Sequence, residues 1–268
     1  MADKLYDILI LGATPAGLDL AQALSDSGLE VALISSNFNY RAKAHELKDI
    51  TILENPVVFL TYYHGLLALT LKNNAVILGK SLVLATGTSP AKLSIKNQNV
   101  LYKTAELKTK RKTEQAVISG NGDRALIYAL DLAKKFRYVY ICSQEYHLEG
   151  SKSLLKKIAD SANIVHLPGC SVVRCKNDRN GMLAEVCLDT YESIKTNTLV
   201  AVTPRTPDLP AFTKKFVGVL ASGHADLTAE FESKLVPGVY AIGELAPKMT
   251  KKQLQELADL LKTKFQKG

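Results

Sequence analysis

Short unbroken apolar runs alternate along this chain with stretches in which apolar residues recur every third or fourth position. In "YDILILGATPAGLDLAQALSDSGLEVALIS" the run 8–11 is continuously apolar, the pattern of a parallel strand buried on both faces. Leu18, Ala21 and Leu24 follow at helical spacing, and Gly28 closes that helix before a second strand over 30–35. Pro15 sits early in the helix, where its missing N–H costs nothing. This is a strand–helix–strand unit of about 30 residues. The stretch "QAVISGNGDRALIYALDLAKKFRYVYICS" repeats the plan. Its strand covers 116–119, its helix carries Ala125, Ala129, Leu132, Ala133 and Phe136, and its second strand covers 138–142.

Between these units, "TILENPVVFL" and "LLALTLKNNAVILGKSLVLATGTSP" predict hairpin strands ending in a buried strand over 82–85. Beyond the second unit, "SVVRCKNDRNGMLAEVCL" predicts a hairpin turning at Asn180-Gly181. Strands "TLVAVTP" and "VPGVYAIGELAP" follow. The closing "KKQLQELADLLKTKFQKG" is a helix whose stripe of Leu254, Leu257, Leu261 and Phe265 is read as core packing.

Composition excludes more than it identifies. The 268 residues, 47% hydrophobic and 22% charged, suit a soluble globular protein with a sizeable core. No apolar run approaches the ~20 residues of a membrane helix. The opening "MADKLYD" leads directly into a strand with no signal-peptide pattern, so a cytoplasmic protein is expected. Cys142, Cys170, Cys175 and Cys187 form no C-x-x-C and no pair of ligand pairs, so they are read as buried reduced thiols and not as zinc ligands. No metal site is read among the five scattered histidines. A net charge of +8 fits a lysine-coated surface. Without aromatic-laced basic faces it argues against nucleic acid.

The chemistry lies in the two turns. A dinucleotide turn reads G-x-G-x-x-G: the first glycine for the tight turn, the second for backbone approach to a pyrophosphate, the third for helix–strand packing. The first turn has Gly12 and Gly17 but Thr14 in the middle. The second has Gly120, Gly122 and Ala125. One such motif is weak; two inside complete βαβ frames argue for two nucleotide-binding folds.

Read in order, the motifs resemble the thioredoxin reductase-like branch of the two-dinucleotide-binding-domain flavoproteins. "ILILGATPAG" resembles its FAD-binding motif, "LVLATGTSPAKL" its alanine-threonine-glycine crossover and "AVISGNGDRALIYAL" its pyridine-nucleotide motif. "VAVTPRTPDLPAF" resembles the returning strand and "VPGVYAIGEL" the closing flavin motif. The resemblance implies an α/β fold of two Rossmann-like, three-layer domains, the second inserted in the first. An FAD-binding domain would comprise 1–97 and 209–268, and an NAD-binding-like domain 98–208. It further implies an FAD pyrophosphate at Gly12, Thr14, Pro15, Ala16 and Gly17, an adenosine ribose near Ser35 and adenine near the Val57 backbone. Thr86 and Gly87 would lie beside the cofactor. Gly243 and Glu244 would replace the usual glycine-aspartate at the ribityl chain. A nicotinamide nucleotide would meet Gly120, Gly122, Asp123 and Ala125, with Ser143 near its ribose.

Three departures bear on activity. Lys103 and Glu106 stand where thioredoxin reductases carry the redox C-x-x-C, and without thiols there is no dithiol relay. The NADPH-binding His-Arg-Arg run is replaced by Ser143-Gln144-Glu145, which favours NADH. "SNFNYRAKAHELKDI" replaces a longer loop and helix over the flavin. Thr14 leaves two outcomes: its hydroxyl donates to a phosphate oxygen, or its side chain fills the phosphate's space. FAD is expected to bind with its pyrophosphate shifted and its ring more exposed than in relatives.

Two functions remain open at this point. One is an FAD-dependent oxidoreductase without disulfide reductase activity, passing electrons from NADH to a small molecule or to an acidic electron-transfer protein, with 103–112 as a candidate docking stretch. The other is a catalytically degenerate nucleotide-binding scaffold or interaction protein. The family's homodimers make a dimer an expectation by analogy alone.

Overall fold

The computed structural model describes residues 4–36, 47–93, 95, 99–107, 114–246 and 249–266. Two compact units divide the chain: 1–89 with 206–268, and 90–205.

In the first unit, β1 (Leu5–Leu11), β2 (Val31–Ser35) and β3 (Ile50–Glu54) lie parallel. On the other side of β1, β6 (Val76–Leu84) runs parallel to it, and β5 (Leu66–Leu71) and β4 (Val57–Tyr63) follow in antiparallel order. The carboxyl half of β6 also pairs with β16 (Val239–Ala241). Alternate residues of β1 enter opposite cores, which is why 8–11 is apolar without a break. Ile8 and Ile10 meet α1 (Pro15–Leu24) and α5 (Lys251–Gln266). Leu9 and Leu11 meet residues of β4 and β5, with Phe216 and Val217 of the short α4 (Lys214–Val217). Leu254, Leu257 and Leu261 of α5 are buried and Phe265 packs beside them. A capping box opens that helix: Gln253 N–H donates to Thr250 Oγ1 and Thr250 N–H to Gln253 Oε1.

One expectation needs correction here. "TILENPVVFL" is not one hairpin strand. It divides at Asn55-Pro56 into β3, which pairs parallel with β2, and β4, which pairs antiparallel with β5 at the opposite end of the strand order. Pro56 has no N–H to give a ladder.

In the second unit a parallel sheet runs β10 (Ile164–Leu167), β9 (Tyr138–Cys142), β8 (Gln115–Ser119), β14 (Leu199–Ala201). One face carries α2 (Asp123–Ala133) and α3 (Lys152–Ala159). The other carries the antiparallel sheet β11 (Val172–Asn177), β12 (Leu183–Leu188) and β13 (Ile194–Lys195). Asp178 Oδ1 takes the N–H groups of Asn180 and Met182, and Gly181 adopts φ +76°, so the β11–β12 hairpin turns at the expected place. The strands β7 (Thr88–Pro90) and β15 (Arg205–Pro207) pair where the chain passes between units.

The cysteines also require correction. Cys142 and Cys170 are disulfide-bonded, with Cα atoms 5.8 Å apart, and not two separate reduced thiols. The spacing of 28 residues hides this in the sequence; the parallel pairing of β9 and β10 creates it. Cys187 is buried and free, and Cys175 is free and half-buried, its thiol pushed up by burial. No helix among the described residues is long and apolar enough to cross a membrane.

Candidate functional site

The first glycine turn is built by close backbone approach. Gly12 follows β1 with φ +118° and donates its N–H to Ile34 O at 2.8 Å. A Cβ on Gly12 would stand 2.3 Å from Ala85 O, and one on Gly17 only 2.1 Å from Gly12 O. Thr14 is the N-cap of α1 in extended backbone (φ −77°), and Pro15 is the first helical residue. Its Oγ1 accepts from Gly17 N–H at 3.4 Å and donates to Ala85 O at 2.8 Å. Thr14 therefore does a capping residue's work and also ties the turn to the end of β6. Its hydroxyl proton is directed at Ala85.

Two further segments meet this turn. Gly87 has φ +76°, and a Cβ there would be 2.9 Å from Thr14 Cγ2 and 3.7 Å from Glu244 Oε2. Gly243, at φ +64°, lies so close to α1 that a Cβ would stand 2.7 Å from Ala16 Cβ. Thr88 Oγ1 donates to Glu244 Oε2 at 2.7 Å, so this hydroxyl aims the longer carboxylate. Thr86 Oγ1 donates to Asp208 O, and Asp208 N–H donates back to Gly87 O. Gly12, Thr14, Ala16, Gly17, Gly87, Gly243 and Glu244 thus come together, with Thr86 at the same crossover.

Ser35 follows Ile34, whose carbonyl holds Gly12 N–H, whereas among the described residues no contact links Val57 to the turn. Ser35 ends β2, in register with Glu54 of β3. Val57 opens β4 opposite Leu71 and packs into the second core. Ala85, Thr88 and Met249, whose sulfur accepts Gly243 N–H at 3.3 Å, were missed from sequence. Thr88 alone had a signal, as a hydroxyl directly after the crossover glycine.

The second turn, in the other unit, is tighter at one glycine than at the other. Gly120 has φ +132°, and a Cβ would be 2.3 Å from Val202 O, whereas Gly122, the N-cap of α2, has open space beside it. Ala125 is fully buried at the packing position. The chain's own segment 145–151 engages this turn. Asn121 Nδ2 donates to His147 O, and Asn121 Oδ1 accepts Glu149 N–H at 2.9 Å. Asp123 Oδ1 accepts Ser151 N–H at 2.6 Å. Gln144 donates to Ser171 Oγ, and Glu145 is exposed near Asn121.

Ser143 is 2% exposed, donates to Glu145 O and faces His166 Nε2 at 2.9 Å. With the hydroxyl proton spent on Glu145 O, Nε2 carries the ring proton in the neutral histidine. Burial, then the charge of His147, lower the pKa of His166, against an opposing pull from Glu145. Below about pH 6.5 the unfolded chain then binds a proton that the folded chain resists, so stability present at neutral pH is lost on acidification. Thermal melts should show wild type losing more stability from about pH 7 to about pH 5 than His166→Gln. Equal slopes would remove His166 as the cause.

Lys103 caps, and Glu106 ends, a single 3₁₀ turn, and Glu106 Oε2 accepts Tyr102 N–H. The rest of the candidate docking stretch, 108–112, lies outside the described residues, as does 37–46 of the short segment after β2.

Two units, each with a strand–glycine turn–helix crevice at the carboxyl ends of parallel strands, define the architecture of proteins with two nucleotide-binding domains. The chain belongs to the pyridine nucleotide-disulphide oxidoreductase family, whose model matches residues 6–259. A curated relative, ferredoxin–NADP reductase 1 of Lysinibacillus sphaericus, is 21% identical over 232 residues, covering 71% of this chain and 66% of its own length. The chain thus spans just under two thirds of that relative. Among solved structures, thioredoxin reductase of T. acidophilum matches with TM-score 0.80 at 17% identity, over 98% of this chain and 99% of its own. Lactococcus lactis thioredoxin reductase matches at 0.79 and 16% identity, over 98% of both chains. The bacillithiol disulfide reductase of Staphylococcus aureus matches at 0.76 and 16%, over 98% and 99%. At these identities the structural likeness speaks for the fold.

Proposed function

We propose that the protein is an FAD-dependent oxidoreductase that draws electrons from NADH and passes them to a small molecule or an acidic electron-transfer protein, with no disulfide reductase activity. The carrying observation is the convergence at the first glycine turn, where three backbone segments close to distances that admit no Cβ, with the Glu244 carboxylate held beside them. Such a cradle suits a pyrophosphate and an adjacent polyol.

Gly12 to Gly17 would hold the FAD pyrophosphate against the amino end of α1, Glu244 would accept from the ribityl hydroxyls, and Ser35 and Val57 would lie toward the adenosine. The flavin supplies the redox chemistry when bound, and the protein would orient it. Gly120, Gly122, Asp123, Ala125 and Ser143 would form the nicotinamide-nucleotide site. Gln144 and Glu145 offer no cation to a 2′-phosphate. A missing charge-assisted contact is worth about 1.5–3 kcal/mol, more than about tenfold in affinity. Lys103 and Glu106 at the positions of the redox cysteines support the loss of disulfide chemistry. The charge of +8 favours an acidic protein acceptor. Cytoplasmic location and a homodimer complete the reading.

Purified protein should show the visible absorption of bound flavin. NADH should bleach it at more than about tenfold lower concentration than NADPH, and thioredoxin with a disulfide dye should give no turnover. Tighter NADPH binding, or dye turnover lost on Cys170→Ser, would count against it. The scaffold reading is favoured by one contact, the Thr14 methyl set against Gly87. Protein that is colourless and takes up no FAD would establish that alternative.

A further inference from the structure

The Cys142–Cys170 pair lies where ligands bind in open parallel sheets, at the carboxyl ends of adjacent strands. Cys142 ends β9, and its carbonyl accepts the N–H of Gly120, the first glycine of the second turn, at 2.9 Å. Cys170 lies in the turn after β10, and its N–H donates to Ser143 O at 2.9 Å. Both residues are 1% exposed. The segment 143–151 leaves the end of β9 directly after Cys142 and is held to the second turn by Asn121 and Asp123. Tyr146 of that segment, 77% exposed, lays its ring against Gly169, next to Cys170. The sulfurs pack into the core between the parallel sheet and β11–β13, among Val117, Leu183 and Val186, while the flap rooted beside them at Ser143 is held to the second turn through three of its own backbone groups, bonded to the Asn121 and Asp123 side chains.

We infer that Cys142 and Cys170 are a reversible dithiol–disulfide couple that controls how firmly residues 143–151 close over the second glycine turn. In the disulfide form the end of β9 is bonded to the turn after β10, so Ser143, the root of the flap, is fixed on both sides. In the dithiol form that bond is gone and the flap depends on the Asn121 and Asp123 contacts. The oxidant class is a low-molecular-weight disulfide. A thiolate of the pair attacks it, breaking its S–S bond and releasing one thiol. The second thiolate then attacks the mixed disulfide, forms the Cys142–Cys170 bond and releases the other. Two electrons pass to the small disulfide, and the two protons from the cysteines end on its two thiols. Because the sulfurs are buried in that core, exchange requires local opening of the structure around the ends of β9 and β10. By linkage, whatever favours closure also protects the disulfide, and the disulfide favours closure. The inference needs no bound nucleotide and stands apart from the FAD and NADH assignments.

The test compares full-length protein equilibrated with oxidised glutathione and with dithiothreitol. Each sample is denatured and alkylated with N-ethylmaleimide for mass analysis. Expected are alkylation of only Cys175 and Cys187 after oxidation, of all four cysteines after reduction, and a mapped 142–170 crosslink that dithiothreitol removes. Hydrogen exchange on the native forms should show the amides of Glu149 and Ser151 protected at least about tenfold more in the oxidised protein. Cys170→Ala should exchange like the reduced form in both buffers; should it not fold, the wild-type pair still decides. Four alkylated cysteines after oxidation, a crosslink through Cys175 or Cys187, or equal exchange at Glu149 and Ser151 in the two forms would overturn the inference.

Discussion

Gly17→Ala is expected to destabilise the first unit by about 3 kcal/mol or more, enough to melt a marginal domain near physiological temperature. Helix propensity points the other way, since alanine in a helix is favoured over glycine by about 1 kcal/mol. The contact decides it. The new Cβ would stand 2.1 Å from Gly12 O and 3.1 Å from Ala85 Cβ. The first neighbour is a backbone carbonyl fixed by the turn, with Gly12 itself held by its N–H on Ile34 O and its φ of +118°. Relief would require α1 to lift from β1, opening the core in which Leu18, Ala21 and Leu24 meet Ile8 and Ile10. Gly28→Ala is the control: unlike helical Gly17 it has positive φ, at +75°, but a Cβ there meets nothing within 4 Å, so it should lose only the local strain of about 1 kcal/mol. Urea unfolding of both variants checks this. A Gly17→Ala midpoint at or above wild type would mean the turn is far looser than its contacts imply.

The positions legible in the sequence are those where one residue's chemistry has one local reason. Gly12, Gly17 and Gly120 were readable because a turn at the end of an apolar run leaves no room for a side chain. The helices α1, α2 and α5 were readable from their apolar spacing. Harder to read was anything that depends on two distant segments meeting. Thr88 holding Glu244 spans 156 positions, and Thr14 donating to Ala85 O spans 71. Neither spacing has a period. Cys142 and Cys170 looked like unrelated buried thiols because their meeting depends on the register of β9 with β10, where Cys142 pairs with Leu167. Asn55-Pro56 misled for the opposite reason: its local reading as part of a hairpin was plausible, and only the sheet order shows that the two strands beside it go to different partners. Glu145, read from sequence as a charge hostile to a 2′-phosphate, also belongs to the segment that engages the second turn through Asn121.

Thr14→Ser and Thr14→Val should separate the two jobs of this side chain, with serine alone improving FAD binding. Serine keeps the hydroxyl that caps α1 and donates to Ala85 O, and it removes the Cγ2 methyl that faces Gly87 and lies near Glu244. If that methyl occupies space the pyrophosphate needs, its removal relieves about 1–2 kcal/mol of crowding. FAD affinity should then rise roughly 5–30-fold. The stability cost should stay near the ~0.8 kcal/mol of one buried methyl. Valine keeps a methyl toward Gly87 and loses the hydroxyl. It should cost about 1–2 kcal/mol through the lost cap, leave Ala85 O without that donor, and bind FAD no better than wild type. Thr14→Gly would give the most room but sacrifices both the cap and the tie. Its binding gain should therefore come with a fall in melting temperature that serine avoids. The measurements are fluorescence titration with FAD and urea unfolding of the same preparations. Weaker FAD binding by the serine variant than by wild type would mean that the methyl supports the cofactor and does not obstruct it. Weaker binding by valine with serine unchanged would instead show the hydroxyl turning from Ala85 O to a phosphate oxygen when the cofactor arrives, the other arrangement that a threonine in this turn allows.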